Sequence, residues 1–557
     1  FQPDQQRNGA KPCGRTFWFT AIILNNKSRR PESMSGFQLQ TVHDLIDSNA
    51  DQRGSATAFS CYGQVVTHAQ LANMSKAAAR YLSGLGVEFG DRVAIFLPVA
   101  SAGYLALALG AMRLGAIAAC LNARFKTREL NHAIENSGCK VLLYSARLAE
   151  VIEASGVSER TQALEFESIC QDGVFDTTND QVTGDTLSRV GPDTPARIIY
   201  TSGTTAMPKA CLHTHGAMLH QAKAVAERLQ LTEKDRFWTP LPLFHTGGWT
   251  PFLASQAAGA SLHHAGFFEA GPSLRQMVDE ECTILFPSFE TIWMQVLTHP
   301  DFRAEDFTAA RLVLNVGVPE RLALMQHMLP HVPQVSNTGC TEVGGWLCIG
   351  KAEDTLESRC NTAGTPISDM EAKIVDPENG EERPDGRPGE LVVRGPSCLS
   401  EYFRDPEATA AAIDPQGWFH TGDLVSRTPD NEFVFISRIK DMLKVGGENV
   451  SAAEIEGHIL THPKVLLVAV VSAPDDYYGE VPAAFVQTVK GEDLSEKEVI
   501  DYCKGAIANF KVPRYVRFVD EWPMSGTKIK KFELRESIKK DISRLRDSEG
   551  MADEAIL

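Results

Sequence analysis

The sequence predicts an α/β protein. A large N-terminal domain would hold two helix-covered sheet subdomains and a small β-rich subdomain, followed by a smaller C-terminal α/β domain. Three observations carry this. Short apolar runs alternate with Ala/Leu-rich stretches over 93–144 and again over 282–328, as in parallel strands joined by helices. From Thr362 the texture changes to Gly, Pro and short alternating strands, which reads as a β-rich unit. After Lys440 a compact mixed α/β tail follows. With 557 residues, 43% of them hydrophobic, the chain can fill a large core and three or more units.

Taken in order, a helix is expected over 70–85, ending at Gly84 and Gly86. No strand precedes it, so Gly84-x-Gly86 reads as a cap rather than a dinucleotide loop. Strands at 93–97, 116–121 and 141–144 alternate with helices at 101–114 and 127–136. Residues 151–190 are polar and read as a surface excursion. Ile198-Ile199-Tyr200 reads as a buried strand, and 212–229 as mostly helix. The second alternation places strands at 282–286 and 312–316 and helices at 292–297 and 320–328. Glycine turns at 316–319 and 337–342 leave that sheet, and crevices of such sheets open at the carboxyl ends of strands. Short strands at 371–375, 390–394 and 433–436 form the β-rich unit. The tail carries strands at 466–471 and 483–489, a helix at 496–508 and a helix near the end. The boundary falls at Lys440, dividing residues 37–439 from 440–557. Residues 1–36 are expected to be disordered or non-native leader. The apolar run 17–24 is short, and Lys27, Arg29 and Arg30 follow it in place of a small-residue cleavage site.

Composition excludes several classes. A net charge of −17 with no basic stripe excludes nucleic acid as a partner. No run approaches the roughly 18 apolar residues of a membrane span, so no integral membrane segment is expected. Twelve cysteines without a Cys-x-x-Cys pair read as reduced and cytoplasmic. His213, His215, His263 and His264 lack a carboxylate or cysteine at ligand spacing, so packing or surface roles are expected.

The chemistry centres on Thr201-Ser202-Gly203-Thr204-Thr205-Ala206-Met207-Pro208-Lys209. Gly203 lets the backbone approach a ligand, Pro208 stiffens the far end, and the hydroxyls, N–H groups and Lys209 suit a polyphosphate. It is not a Walker loop, because no glycine precedes Lys209 and Ala210 replaces the metal-binding hydroxyl. A formal near-match at Gly345 to Lys351 ends in Ala352 and is apolar within, so it reads as chance.

Five motifs then occur in order: 201–209; Asn337-Thr338-Gly339-Cys340-Thr341-Glu342; Thr421-Gly422-Asp423; Arg438 to Asp441 with Lys444-Val445-Gly446-Gly447-Glu448-Asn449; and Ser525-Gly526-Thr527-Lys528-Ile529. From about Phe37 onward the chain resembles the adenylate-forming superfamily of acyl- and aryl-CoA synthetases, peptide-synthetase adenylation domains and beetle luciferases. The resemblance implies two αβαβα-type sheet subdomains and a mobile C-terminal domain. It implies ATP, Mg2+ and coenzyme A as the cofactors and a small carboxylic acid as the substrate; a homodimer is allowed. Thr201, Ser202, Gly203, Thr204, Thr205 and Lys209 would hold the phosphates. Glu342 and Thr205 would ligate Mg2+, a hard ion wanting oxygen. Gly317, Val318, Pro319, Asn337, Thr338, Gly339 and Thr341 would shape the nucleotide slot, with Asp423 and Arg438 on the ribose. Lys528 would reach the carboxylate and α-phosphate, with Thr205, Glu342 and His245 completing the catalytic set. Lys440 would be the hinge, and Lys444, Gly446, Gly447 and Glu448 the thioester loop.

The sequence departs from the family pattern at Ala206, Ala210 and Thr527, where glycine is usual, and at Val318 and Pro319. The segment Phe244-His245-Thr246 lacks the aspartate that pairs the ammonium in amino-acid-activating relatives, so an amino-acid substrate is not expected. His245 resembles the gate between acyl and thiol tunnels; Trp249, Val316, Gly317, Thr338, Gly339 and Cys340 would line the acyl pocket. A medium-chain fatty acid is the first reading, an aryl or alicyclic acid the second, and transfer to a carrier-protein pantetheine an alternative acceptor. A nucleotide-binding protein without catalysis is disfavoured by Lys528, Glu342 and Asp423, and a kinase by Ala352.

Overall fold

The computed structural model describes residues 39–175, 189–201, 207–525 and 528–554, with backbone alone for Ser525, Lys528 and 545–554. The expected leader lies outside the described residues. Two large sheets organise the rest. The seven-stranded sheet runs, edge to edge, Glu401–Tyr402, Ala210–Thr214, Pro195–Tyr200, Ile117–Cys120, Arg92–Phe96, Val141–Tyr144, Gln162–Glu165. From Pro195–Tyr200 to Gln162–Glu165 its strands are parallel, and Ala210–Thr214 returns antiparallel. The nine-stranded sheet runs Thr365–Pro366, Gly345–Ile349, Gln334–Cys340, Leu312–Val316, Ile284–Phe289, Arg236–Thr239, Ser261–His264, Thr57–Cys61, Gln64–Thr67. Continuous apolar runs suit strands covered on both faces. A four-stranded antiparallel sheet of Glu371–Val375, Gly389–Arg394, Phe419–Arg427 and Phe433–Arg438 follows.

One apolar cluster joins all three sheets, reaching from Tyr104 through Trp249 and Phe252 to Val393 and Phe433. Residues 442–518 form a separate five-stranded sheet with its own core around Ile455, Val470 and Val516. The helix Lys531–Glu554 lays Leu534, Ile538 and Ile542 on that sheet's other face. Lys440 lies in the single helical turn Ile439–Asp441, between the last strand of the four-stranded sheet and the first of the five-stranded one. Among the described residues no helix is long and apolar enough to cross a membrane, and every cysteine is free.

Local chemistry explains the boundaries. Thr67 caps the helix His68–Gly84 in a reciprocal capping box with Gln70, and Gly86 beyond it takes φ +80°, the left-handed exit that glycine allows. Ser101 caps Ala102–Arg113.

Four expectations fail. Residues 212–214 belong to the strand Ala210–Thr214, and the helix begins at His215 with Thr214 as its cap; a five-residue strand directly before a helix offers no period to separate them. The stretch 151–190 is not simply an excursion, since Gln162–Glu165 adds the sheet's outer strand, and edge strands are polar by need. Asn337 to Cys340 is strand rather than turn, with the turn starting at Thr341. The helix expected over 496–508 stops at Cys503.

Four core histidines are held neutral. Burial, with Arg113 second, lowers His43 to about 4. Burial also brings His213 and His215 to about 3 and His264 to about 4. In His264 the tautomer is fixed: Nδ1 accepts from Gly266 N–H and Nε2 donates to the Leu241 carbonyl. Unfolded histidines titrate near 6.5, so between there and 4 the unfolded chain binds more protons. Stability is then full above that window and falls with pH, each histidine costing up to about 1.4 kcal/mol per pH unit. The expected outcome is a steep drop of the unfolding midpoint from pH 6.5 downward; a flat midpoint would contradict neutral core histidines.

Candidate active site

The predicted site residues come from the two large sheets and the four-stranded sheet, several of them at the carboxyl ends of strands. The strand Pro195–Tyr200 delivers Thr201, whose N–H donates to the Lys209 carbonyl at 2.9 Å, closing the base of the 201–209 loop. Ser202, Gly203, Thr204, Thr205 and Ala206 lie outside the described residues. The Lys209 ammonium sits 4.6 Å over the Tyr402 ring. The Tyr402 hydroxyl donates to Glu342 Oε1 at 2.8 Å. Burial, then the charge of Glu342, pushes the Tyr402 phenol far up, so it stays a donor. Glu342 follows Thr341 in a helical turn that Gly344 ends at φ +78°.

Asp423 and Arg438 are register partners across Phe419–Arg427 and Phe433–Arg438. They pair at 2.5 Å, with the Asp423 side chain 9% exposed. Burial opposes the Arg438 charge, yet Asp423, aided by Cys340, Glu342 and Asp441, holds the guanidinium above its ordinary value. Cys340 is the shared neighbour: burial, then Glu342 and Asp423, drive its thiol well up. Lys209, Glu342, Asp423 and Arg438 are thus linked through Tyr402 and Cys340.

The turn after Leu312–Val316 forms another wall. Val316 is 37% exposed at the strand end. A Cβ on Gly317 would lie 2.6 Å from Glu290 Oε2, so the backbone there must stay bare. Pro319 opens the next helix, and Asn337 reaches the Asn315 carbonyl at 3.5 Å. Thr338 and Gly339 pair with Cys348 and Trp346. A Cβ on Gly339 would meet the Gly345 carbonyl at 1.9 Å.

His245 caps the helix Thr246–Ala258, its Nδ1 accepting from Gly247 N–H. Thr250 ties that helix to the Gly344 carbonyl. Trp249, one turn into that helix, is fully buried against Phe252 and Arg197. In the C-terminal unit Gly446 and Gly447 take φ +58° and +93° at the tip of a hairpin, flanked by exposed Lys444 and Glu448. Lys528 lies in a two-strand hairpin with Ser525. The Glu342 carboxylate accepts one described hydrogen bond, on Oε1, which leaves Oε2 for a hard cation such as Mg2+. Sequence reasoning missed Tyr402, because a two-residue strand has no readable period.

Comparison with known proteins agrees along the chain. The family model described as AMP-binding enzyme matches residues 46–403, and that of the AMP-binding enzyme C-terminal domain matches 454–528. A long-chain-fatty-acid–CoA ligase of Mycobacterium tuberculosis, FadD13, is 33% identical over 478 residues, covering 85% of this chain and 93% of the relative. A feruloyl-CoA synthase of Amycolatopsis is 32% identical over 487 residues, covering 86% and 95%. The crystal structure of the anthranilate CoA ligase AuaEII in complex with anthranoyl-AMP superposes with a TM-score of 0.81 at 26% identity, covering 90% of this chain and 98% of that one.

The Gly339 contact has a measurable consequence. Gly339→Ala forces two strands apart and is expected to cost about 2 kcal/mol, as overpacking does. Gly84→Ala, where nothing lies within 4 Å of the added carbon, is expected to be neutral or slightly stabilising. Urea midpoints of both variants check this; equal midpoints would refute the close approach.

Proposed function

The chain belongs to the AMP-binding enzymes of the adenylate-forming superfamily, and from that premise we propose that it activates a medium-chain carboxylic acid as an acyl-adenylate and passes the acyl group to coenzyme A. It is an AMP-forming acid–thiol ligase. The observation that carries the finer reading is the linkage of Lys209, Glu342, Asp423 and Arg438 through Tyr402 and Cys340.

The first half-reaction joins two anions. A carboxylate oxygen bonds to the α-phosphorus of ATP while the bond to pyrophosphate breaks. Lys209 and the N–H groups of the 201–209 loop offset charge on the leaving phosphates. Mg2+ held by Glu342 and Thr205 would supply further neutralisation of the phosphates. Asp423 offers an acceptor to the ribose diol and Arg438, paired with it, holds that carboxylate in place. Lys528 bridges carboxylate and α-phosphate, a task suited to a compact ammonium on a flexible stem. In the second half-reaction the thiol sulfur attacks the acyl carbonyl carbon, AMP leaves, and the thiol proton is lost. His245, at the start of its helix, gates the thiol path. Lys440, in the turn between two sheets, is the pivot about which residues 440–557 swing the Gly446-Gly447 hairpin toward the cleft. Residues 37–439 carry the nucleotide, and 440–557 supply one face to each half-reaction.

The medium chain is our first reading, with Cys340 as a small side chain beside Glu342 and Asp423. An aryl or alicyclic acid is the second reading.

Acid-dependent ATP–pyrophosphate exchange is the direct test. A kinase would release ADP and a binding protein nothing; a panel of aliphatic and aryl acids scored by AMP release with CoA ranks the substrates. Lys528→Ala is expected to abolish adenylation while transfer from supplied adenylate survives. Equal loss of both steps would refute its assigned role. Lys440→Pro, which fixes the backbone at the pivot, is expected to slow thioester formation more than adenylation. Unchanged thioester kinetics would place the hinge elsewhere.

A further inference from the structure

The helix Thr127–Ser137 carries none of the predicted site residues, yet it holds three segments that do. His132 Nε2 lies 3.0 Å from the Pro208 carbonyl. The Tyr200 hydroxyl lies 2.9 Å from both the Ala133 carbonyl and the Asn136 side-chain oxygen. Asn136 Nδ2 donates to the Phe403 carbonyl at 3.0 Å. Residues 132 and 136 stand one helical turn apart and share a face. Each contact falls one residue from the site: Tyr200 precedes Thr201, Pro208 precedes Lys209, and Phe403 follows Tyr402. The Phe403 N–H in turn donates to the Ala210 carbonyl at 2.8 Å, directly after Lys209.

The contact at Pro208 acts on the peptide that carries Lys209. A carbonyl only accepts, so Nε2 holds the proton and the imidazole is the donor. Pro208 is buried, where a carbonyl without a donor is costly. At the other end of the same peptide, the Lys209 N–H donates to Thr201 Oγ1 at 3.3 Å. Both polar atoms of the 208–209 peptide are thus tied, and a peptide unit is planar, so its plane cannot turn without breaking a tie. The Lys209 carbonyl also accepts from the Thr201 N–H at 2.9 Å. These ties set the direction in which the exposed Lys209 side chain leaves the backbone, and that direction takes its ammonium over the Tyr402 ring. Of the three, the tie from His132 alone comes from outside the 201–209 motif.

We propose that His132 is a positioning residue for adenylation: its hydrogen bond to Pro208 orients the Lys209 ammonium toward the β- and γ-phosphates of ATP. This rests on the acid–CoA ligase reading, in which Lys209 offsets charge on the leaving pyrophosphate. A hydrogen bond that served the fold alone would affect both half-reactions alike. One that aims Lys209 matters while the phosphates are present and not after pyrophosphate has left.

Full-length His132→Gln and His132→Phe variants are compared with the native protein. Gln places an amide N–H where Nε2 stands; Phe keeps a ring and removes the donor. Three quantities are measured: kcat/KM for ATP in acid-dependent ATP–pyrophosphate exchange, thioester formation from supplied acyl-adenylate and CoA, and ATP affinity by calorimetry without acid. His132→Phe is expected to lower kcat/KM for ATP at least about fivefold, as loss of one hydrogen bond can, and to leave transfer from supplied adenylate within about twofold. His132→Gln is expected to recover most of the loss. In a Lys209→Ala background His132→Phe is expected to cost nothing further, because residues that act through one another do not add. Equal loss in both half-reactions, full additivity with Lys209→Ala, absence of rescue by Gln, or an undiminished kcat/KM in His132→Phe would each make His132 a packing residue and overturn the proposal. If His132→Phe does not fold, His132→Asn, whose amide is too short to reach the Pro208 carbonyl, takes its place. If no acid supports exchange, the ligase reading fails and ATP affinity alone decides: a fall in His132→Phe that His132→Gln restores upholds the role of His132, and unchanged affinity overturns it.

Discussion

The pairing of Glu401–Tyr402 on the outer edge of the seven-stranded sheet registers the polar groups of the cleft. Tyr402 is the register partner of Cys211, two residues beyond Lys209, so its ring lies beneath that ammonium. Its hydroxyl reaches Glu342, which hangs from the other large sheet. A cation, an aromatic ring and a carboxylate thus line up across the junction of two sheets. Among the described residues Lys209 and Glu342 form no ion pair with each other. A direct pair would neutralise both; here the phenol lies between them and contacts each.

The four-stranded sheet does comparable work from the other side. Asp423 is buried, and Arg438 sits opposite it on the neighbouring strand. The pair is therefore a preorganised carboxylate whose counter-charge is already in place. The strand that ends at Arg438 runs into the turn holding Lys440 and then into the separately packed C-terminal sheet. The Asp423–Arg438 pair and the domain connection are adjacent in the chain, so any reorientation at Lys440 would begin within two residues of Arg438.

Much of this was legible in the sequence because it depends on period and composition. The parallel strands, the helix over 70–85 with its glycine exit, and the β-rich change at Thr362 all announce themselves locally. Thr201, Lys209, Glu342, Asp423 and Arg438 were readable because their motifs keep order and spacing. What stayed hidden is long-range. Residues 212–214 are strand only because Pro195–Tyr200 lies beside them. Gly339 reads as a turn residue, yet it is glycine because the Gly345 carbonyl leaves no room for a Cβ. Tyr402 lies in Ser400-Glu401-Tyr402-Phe403, with nothing to mark it, and gains its place from an edge pairing with a strand almost two hundred residues earlier.

Burial does not treat the polar residues of that core alike. His43, His213, His215 and His264 answer it by giving up a proton, and each then needs only a hydrogen bond or a tolerant apolar wall. Arg197 has no such escape. Burial lowers its pKa to about 10, which still leaves it charged at neutral pH. A strand reading Ala196-Arg197-Ile198-Ile199-Tyr200 could have dispensed with that charge through an apolar residue, since hydrophobic replacement of buried ions is often neutral or stabilising. Here the guanidinium lies over the Trp249 ring, with His213 as its register partner on the neighbouring strand. The contact with the indole face and the spread of charge over a planar guanidinium ease a burial that a compact ammonium would not tolerate.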